Sequence, residues 1–279
     1  MRIIKLNVIK DAVRDLLLDS AQNVNENLLE ALKSAQIKEE SPIGKNVLSQ
    51  IIENNLIARK KGVPICQDTG NAVVMIDIGS EVCFEGNLVD AVNEGVKEAY
   101  VNHYLRKSVV RHPFDRVNTN DNTPAILHTK IVPGNKVFIK VANKGAGSEN
   151  MSKIKMMLPS DGIEGVRKFL LETVFEGGGK PCPPIIVGMG IGGNFETCAL
   201  LAKEAIMRDL NDESSDPIAR KLEKEWLDEI NKLGVGPMGF GGTVTALAVK
   251  INVAPCHIAS LPVAINIQCH AARSKQIIL

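Results

Sequence analysis

Aromatic residues are scarce in this chain, at 4% with one Trp and two Tyr. That argues against the base-stacking platforms that grip single-stranded nucleic acid. No sign of charge dominates, since 33 Lys and Arg face 32 Asp and Glu for a net charge of +1. A general polyanion binder carries a clear basic excess, so nucleic acid is not an expected partner, although a small anion could still meet a local cationic pocket. No stretch approaches the roughly 18 uncharged apolar residues of a membrane span. The N-terminus, MRIIKLNVIKDAVRDLLLDSAQ, places a charge every few residues and so lacks the apolar core of a signal peptide. These absences predict a cytoplasmic protein with no membrane partner. No CxxC pair occurs, which argues against a zinc ribbon or a thioredoxin site.

What is present is ordinary globular material. The chain has 279 residues, 44% of them apolar and 23% charged, and such a composition excludes disorder for most of its length. Residues 1–279 read as one unit with a mainly helical segment over about 1–61. Val13, Leu16 and Leu17, then Leu28, Leu29 and Leu32, recur at helical spacing. A further helix opens at Ser41-Pro42, carries Leu48, Ile51, Ile52 and Leu56 on one stripe, and stops at Arg59-Lys60-Lys61-Gly62. VPICQDTGNAVVMIDIG reads as strand, loop, strand. Helices are expected over Leu88–Leu105, Gly162–Phe175, FETCALLAKEAIM and Pro217–Leu233. Strands are expected in ILHTKIV, KVFIKVA, PPIIVGMGIGG and VTALAVKINVA, and NKGAGSENMSK reads as a flexible loop. Mixed helices and strands predict an α/β or α+β fold, a helical N-terminal region followed by a sheet-containing core.

Four places could carry chemistry. Gly188-Met189-Gly190-Ile191-Gly192-Gly193 fits the dinucleotide fingerprint and lies between a strand and a helix, but no second strand with an acidic end follows. The competing reading is a tight strand-to-helix turn. Cys66-Gln67-Asp68-Thr69-Gly70 sets a thiol beside an amide, a carboxylate and a hydroxyl. Lys180-Pro181-Cys182-Pro183-Pro184 holds a thiol between prolines that stiffen the backbone. Cys269-His270-Ala271-Ala272-Arg273 follows an apolar run. The other cysteines sit in plainer settings: Cys198 in a helix core, Cys83 near a turn, Cys256 before His257. Three loop thiols without a histidine cluster suit a soft metal centre. Three rather than four would leave one iron of a cubane without a protein ligand, free to act as a Lewis acid.

PICQDTG, YLRKSVVRHP, NKGAGSENMSK, KPCPP followed by IGG, GFGGTVTALAVKI and PCHIASLPVAINIQCHAAR occur in order from about Gly62 to the C-terminus. Together they resemble the class I, iron–sulfur-dependent fumarate hydratase and L(+)-tartrate dehydratase family, in its separate alpha-subunit form. The resemblance implies a [4Fe–4S] cluster held by Cys66, Cys182 and Cys269. It implies substrate contacts from Gln67, Asp68, Arg106 and Gly147, and catalytic roles for Asp68 and His257. It implies reversible hydration of a small C4 dicarboxylate, fumarate to L-malate in preference to tartrate, by a dimer of alpha–beta pairs. The separate beta subunit would supply the opposite proton carrier, so the isolated chain would bind cluster poorly and turn over little. Three readings from other classes stand beside it: a nicotinamide-dependent dehydrogenase using GMGIGG, a non-catalytic cluster carrier, and a cysteine hydrolase.

Overall fold

A computed structural model describes residues 1–279, and it has the mixed α/β class expected from the sequence. The chain divides into two compact units. The first comprises residues 1–25, 55–146 and 273–279, and the second comprises 26–54 and 147–272.

The N-terminal helices are α1 (Leu6–Gln22), α2 (Glu26–Lys38) and α3 (Pro42–Lys61). The Ser41 hydroxyl accepts from the Gly44 amide at 3.2 Å, satisfying one orphan donor at the α3 start. Gly62 turns left-handed at φ 63° and ends the helix as expected. A short strand β1 (Arg2–Ile4), unannounced by any alternation, pairs in parallel with β3 (Val82–Phe84).

The first unit is built on a four-stranded sheet. Its members are β2 (Asn71–Gly79), β4 (Ile126–Val132), β5 (Val137–Lys144) and β10 (Ser274–Ile278), ordered β10-β5-β2-β4. β4 and β5 follow one another in sequence but do not pair; β2 lies between them, parallel to β4 and antiparallel to β5. VPIC is not a strand: residues 62–70 form a loop, and β2 begins only at Asn71. α4 (Leu88–Asn102) stops short of Leu105 and starts at Asn87, whose side chain accepts from the Val89 amide. Ile9, Val13 and Leu17 of α1 pack with Val92, Val96 and Tyr100 of α4 over Val74, Ile76, Ile139 and Val141.

The second unit has its own sheet. β6 (Lys153–Met157), β7 (Ile185–Gly193), β8 (Ala246–Cys256) and β9 (Leu261–Gln268) are ordered β6-β9-β7-β8, with only β7 and β8 parallel. α6 (Gly162–Gly177) and α8 (Pro217–Asn231) join a core containing Leu170, Trp226 and Ile230 with Val187, Met189, Ile251 and Ile265. α7 (Phe195–Ala205) packs along β7.

Strand alternation explains the glycine run. Val187 and Met189 point into the core that holds Trp226, so Gly188 and Gly190 face the other side. A Cβ at Gly190 would stand 2.0 Å from the Cys198 carbonyl oxygen, and one at Gly188 2.5 Å from the Ala202 carbonyl. The glycines are inside β7 and admit the α7 backbone, which corrects the dinucleotide-turn reading of GMGIGG. NKGAGSENMSK is likewise no loose loop. Asn143 and Lys144 end β5, Ala146–Glu149 form the short helix α5, and Lys153 begins β6.

Glu39, 1% exposed, clamps the second unit near its GFGGT segment. Its carboxylate accepts from the amides of Ser41 (2.8 Å), Thr243 (3.0 Å) and Val244 (2.8 Å). Burial alone would raise its pKa, but these donors outweigh that and hold it below the usual value.

Candidate active site

In the first unit the segment Cys66–Gly70 leads into β2, with Thr69 and Gly70 buried, Cys66 and Asp68 half-buried and Gln67 exposed. The Cys66 thiol contacts Gln67 Oε1 at 3.4 Å. Asp68 is held at both oxygens: Oδ1 accepts from the Gly70 amide and Oδ2 from the Ala146 amide, each at 2.9 Å. Two amide donors fix the carboxylate's orientation and leave its remaining lone pairs for a proton or a ligand. Arg106, exposed just beyond α4, is tied to the same loop because its carbonyl accepts from the Thr69 hydroxyl at 3.1 Å. Gln67 and Asp68 thus sit on a loop whose backbone neighbour is the segment carrying Arg106.

Beneath this loop lies a buried polar network that sequence reasoning missed. The Tyr100 hydroxyl donates to the Thr69 carbonyl at 2.7 Å, with the Gly70 carbonyl at 3.1 Å. Asn143 Nδ2 donates to Tyr100 Oη at 3.1 Å, and Asn143 Oδ1 accepts from the Ser20 hydroxyl. Asn122 Nδ2 donates to the Gly70 carbonyl at 3.1 Å. Arg273 Nη1 donates to the Asp68 carbonyl at 2.5 Å. Tyr100, Asn122 and Asn143 are fully buried. Burial pushes the Tyr100 phenol up, so it stays protonated and serves as a donor. A faint signal existed: Tyr100 continues the Val92–Val96 stripe, and Asn143 is an amide at the end of an apolar strand.

In the second unit Cys182 and Cys269 are half-buried and lie outside regular structure. Their loops meet, because the His270 amide donates to the Cys182 carbonyl at 3.3 Å. Cys182 itself is left-handed at φ 56°, a conformation costing a non-glycine residue on the order of 1 kcal/mol and concentrated at functional sites. Cys198 is fully buried, and burial raises its thiol pKa, as befits an inert core thiol. The six cysteines form no disulfide. Cys66 belongs to the first unit, and Cys182 and Cys269 belong to the second. No group of three or more His, Cys, Asp or Glu side chains is arranged to hold a metal ion.

Gly147 is exposed in α5, and a Cβ there would meet only the Lys180 carbonyl, at 3.7 Å. Nothing within the chain therefore requires glycine at this position. His257 sits on the exposed β8–β9 turn, where Nδ1 accepts from the Ala259 amide at 3.1 Å, leaving Nε2 to carry the proton of a neutral ring. That turn borders a cavity of about 490 Å³ whose walls include Val166, Leu222, Trp226 and Ile251. Its lining is mainly apolar and offers no Lys or Arg, so it does not suit a dicarboxylate. No helix is long and apolar enough to cross a membrane.

Comparison with known proteins agrees with the motifs. Residues 10–278 match the sequence model of the family described as fumarate hydratase (fumerase). A Methanocaldococcus jannaschii protein, provisionally named L(+)-tartrate dehydratase subunit alpha, is 46% identical over 272 residues, spanning 95% of each chain. The L(+)-tartrate dehydratase subunit alpha of Escherichia coli K12 is 31% identical over 272 residues, covering 96% of this chain and 89% of the relative. With nearly its whole length matched in order by this family and by these relatives, the chain belongs to the fumarate hydratase (fumerase) family of hydro-lyases.

Proposed function

We propose that this chain is the alpha subunit of a cytoplasmic iron–sulfur hydro-lyase that adds water to, or removes it from, a C4 dicarboxylate. The observation that carries the reading is the clamped Asp68, a carboxylate fixed at both oxygens on a loop that also hydrogen-bonds the backbone of the exposed Arg106. Hydration of a carbon–carbon double bond next to a carboxylate needs a proton moved at carbon and extra negative charge stabilised on the substrate. Asp68 serves as the acid or base for that proton, held in place by the Gly70 and Ala146 amides. Arg106 grips one substrate carboxylate with its planar fork, and Gln67 donates its amide to a substrate oxygen. Gly147 keeps the start of α5 open to a second carboxylate, and His257, on its turn, is a further proton carrier.

Cys66, Cys182 and Cys269 would hold a [4Fe–4S] cluster. The donor set fits: three half-buried thiols on loops, outside any disulfide, one of them on a left-handed backbone. When bound, such a cluster supplies a Lewis acid toward a substrate oxygen through the iron that lacks a protein ligand. The relatives' names as alpha subunits motivate a separate beta subunit, and we assign a dimer of alpha–beta pairs. Fumarate and L-malate are one substrate pair for this site, and the relatives' names favour L(+)-tartrate equally.

The test is co-expression with the beta subunit, anaerobic cluster reconstitution, and parallel assays on fumarate, L-malate and L(+)-tartrate. Turnover of one of them, abolished by Asp68→Asn, is expected. No turnover on any of the three, or an Asp68→Asn enzyme as fast as wild type, overturns the proposal. Independently of activity, Cys66→Ser, Cys182→Ser and Cys269→Ser should each lose iron and sulfide while Cys198→Ser retains them.

A further inference from the structure

Arg273 is a large cation that the fold buries beside the candidate acid–base residue, at 1% exposure. Its position is set by the sheet: it immediately precedes β10, and its carbonyl accepts from the Asn143 amide at 3.1 Å. From there Nη1 donates to the Asp68 carbonyl at 2.5 Å. Nη2 lies 3.3 Å, and Asp68 Oδ2 3.2 Å, from the point a Cβ on Gly145 would occupy. Guanidinium and carboxylate therefore close on the same spot, and the missing side chain at residue 145 is what lets them do so. Nε is buried without a hydrogen-bond partner.

Burying a guanidinium costs several kcal/mol before compensation, and a single bond to a carbonyl offsets little of that. A neutral donor could make that bond at lower cost. The full charge also gains from a negative group nearby, and the half-buried Asp68 carboxylate lies across the Gly145 Cβ position from it.

We propose that Arg273 is the positioning residue of Asp68: it holds the Asp68 backbone from below and keeps the carboxylate facing outward in one orientation. The inference rests on the catalytic reading of Asp68 given above. Loss of the guanidinium lets the Cys66–Gly70 loop relax, so that Asp68 meets substrate in fewer productive poses. A misplacement of about 1 Å can cost on the order of 100-fold in rate.

The experiment compares Arg273→Met, Arg273→Lys and Gly145→Ala with wild type in the reconstituted alpha–beta enzyme, together with hydrogen exchange on the full chain. For Arg273→Met, kcat should fall about 100-fold with KM within about 3-fold. Arg273→Lys, which keeps the charge, should recover about a tenth of the wild-type rate, and Gly145→Ala, which wedges the two groups apart, should show a smaller fall in kcat. Amides of Gly70 and Ala146 should exchange faster in the Arg273 variants while those of β2 and β5 keep their protection. Should Arg273→Met not fold, Arg273→Lys and Gly145→Ala carry the test. An unchanged kcat overturns the proposal, as does a loss of rate that only accompanies lost sheet protection and lost iron. An inactive wild type, or an unimpaired Asp68→Asn, sinks the functional reading instead; the exchange data then still decide whether Arg273 holds the loop.

Discussion

Replacing Gly190 by alanine should unseat helix α7. The added methyl would stand 2.0 Å from the Cys198 carbonyl oxygen, 2.7 Å from the Ala202 amide nitrogen and 2.8 Å from Leu201 Cβ. The first two obstacles are backbone atoms, so no change of rotamer relieves them. Either α7 lifts from the sheet, or β7 bends between β8 and β9 and loses ladder bonds on both sides. Overpacking costs about 1–3 kcal/mol where side chains can yield, and an obstruction by backbone belongs at the upper end, about 3 kcal/mol. At about 2–4 °C per kcal/mol for a chain of this size, Tm should fall by roughly 6–12 °C. Gly147→Ala is the control: its nearest neighbour would be 3.7 Å away, and its melt should stay within about 2 °C of wild type. Thermal melts followed by far-ultraviolet circular dichroism, without added nucleotide, measure both. A Gly190→Ala protein that melts with wild type would refute the packing account and return the glycine run to the search for a ligand.

Two further outcomes follow from buried ionisable groups. Glu39 has its pKa lowered in the folded state, so its contribution is complete above its ordinary value of 4.5 and is lost as pH falls through the lower folded value. Glu39→Gln should therefore flatten the acid limb of stability, read as denaturant midpoints stepped below about pH 5; an identical acid slope in both proteins would contradict the clamp. Tyr100→Phe removes the donor to the Thr69 carbonyl and the partner of Asn143, at a cost of about 1–3 kcal/mol by denaturant unfolding. Because burial raises the Tyr100 pKa, its contribution is complete below the ordinary value of 10.0 and declines at higher pH. The variant should lose that alkaline decline, and a preserved decline would assign it to another group.

Local pattern carried much of this protein. The stripes of α1, α2 and α3, the serine and glycine that bound α3, and the helices α4, α6, α7 and α8 are legible because burial repeats with helical period. The loop settings of Cys66, Cys182 and Cys269, and the core setting of Cys198, were legible for a similar reason: proline and polar neighbours break periodicity, and a thiol on an apolar stripe does not. The glycine run was visible but ambiguous, since a dinucleotide turn and a helix-on-strand contact both demand residues without a Cβ. Only the facing of Gly188 and Gly190 toward α7 decides between them. VPIC misled because its apolar residues suggest a strand, yet Ile65 gives its amide to the Ala21 carbonyl and not to a ladder.

By itself, then, the sequence determined the longer helices and most of the strands, the six ordered motifs, and the candidate residues from Cys66 to Cys269. Tertiary structure alone decided that β2 separates β4 from β5, that the compact units draw on non-contiguous stretches, and that Ser20, Tyr100, Asn122, Asn143 and Arg273 converge beneath Asp68. The reason is range. Periodicity records whether a side chain is buried, whereas the partner of a buried polar group is chosen by the tertiary fold, which brings together residues as far apart as Asp68 and Arg273.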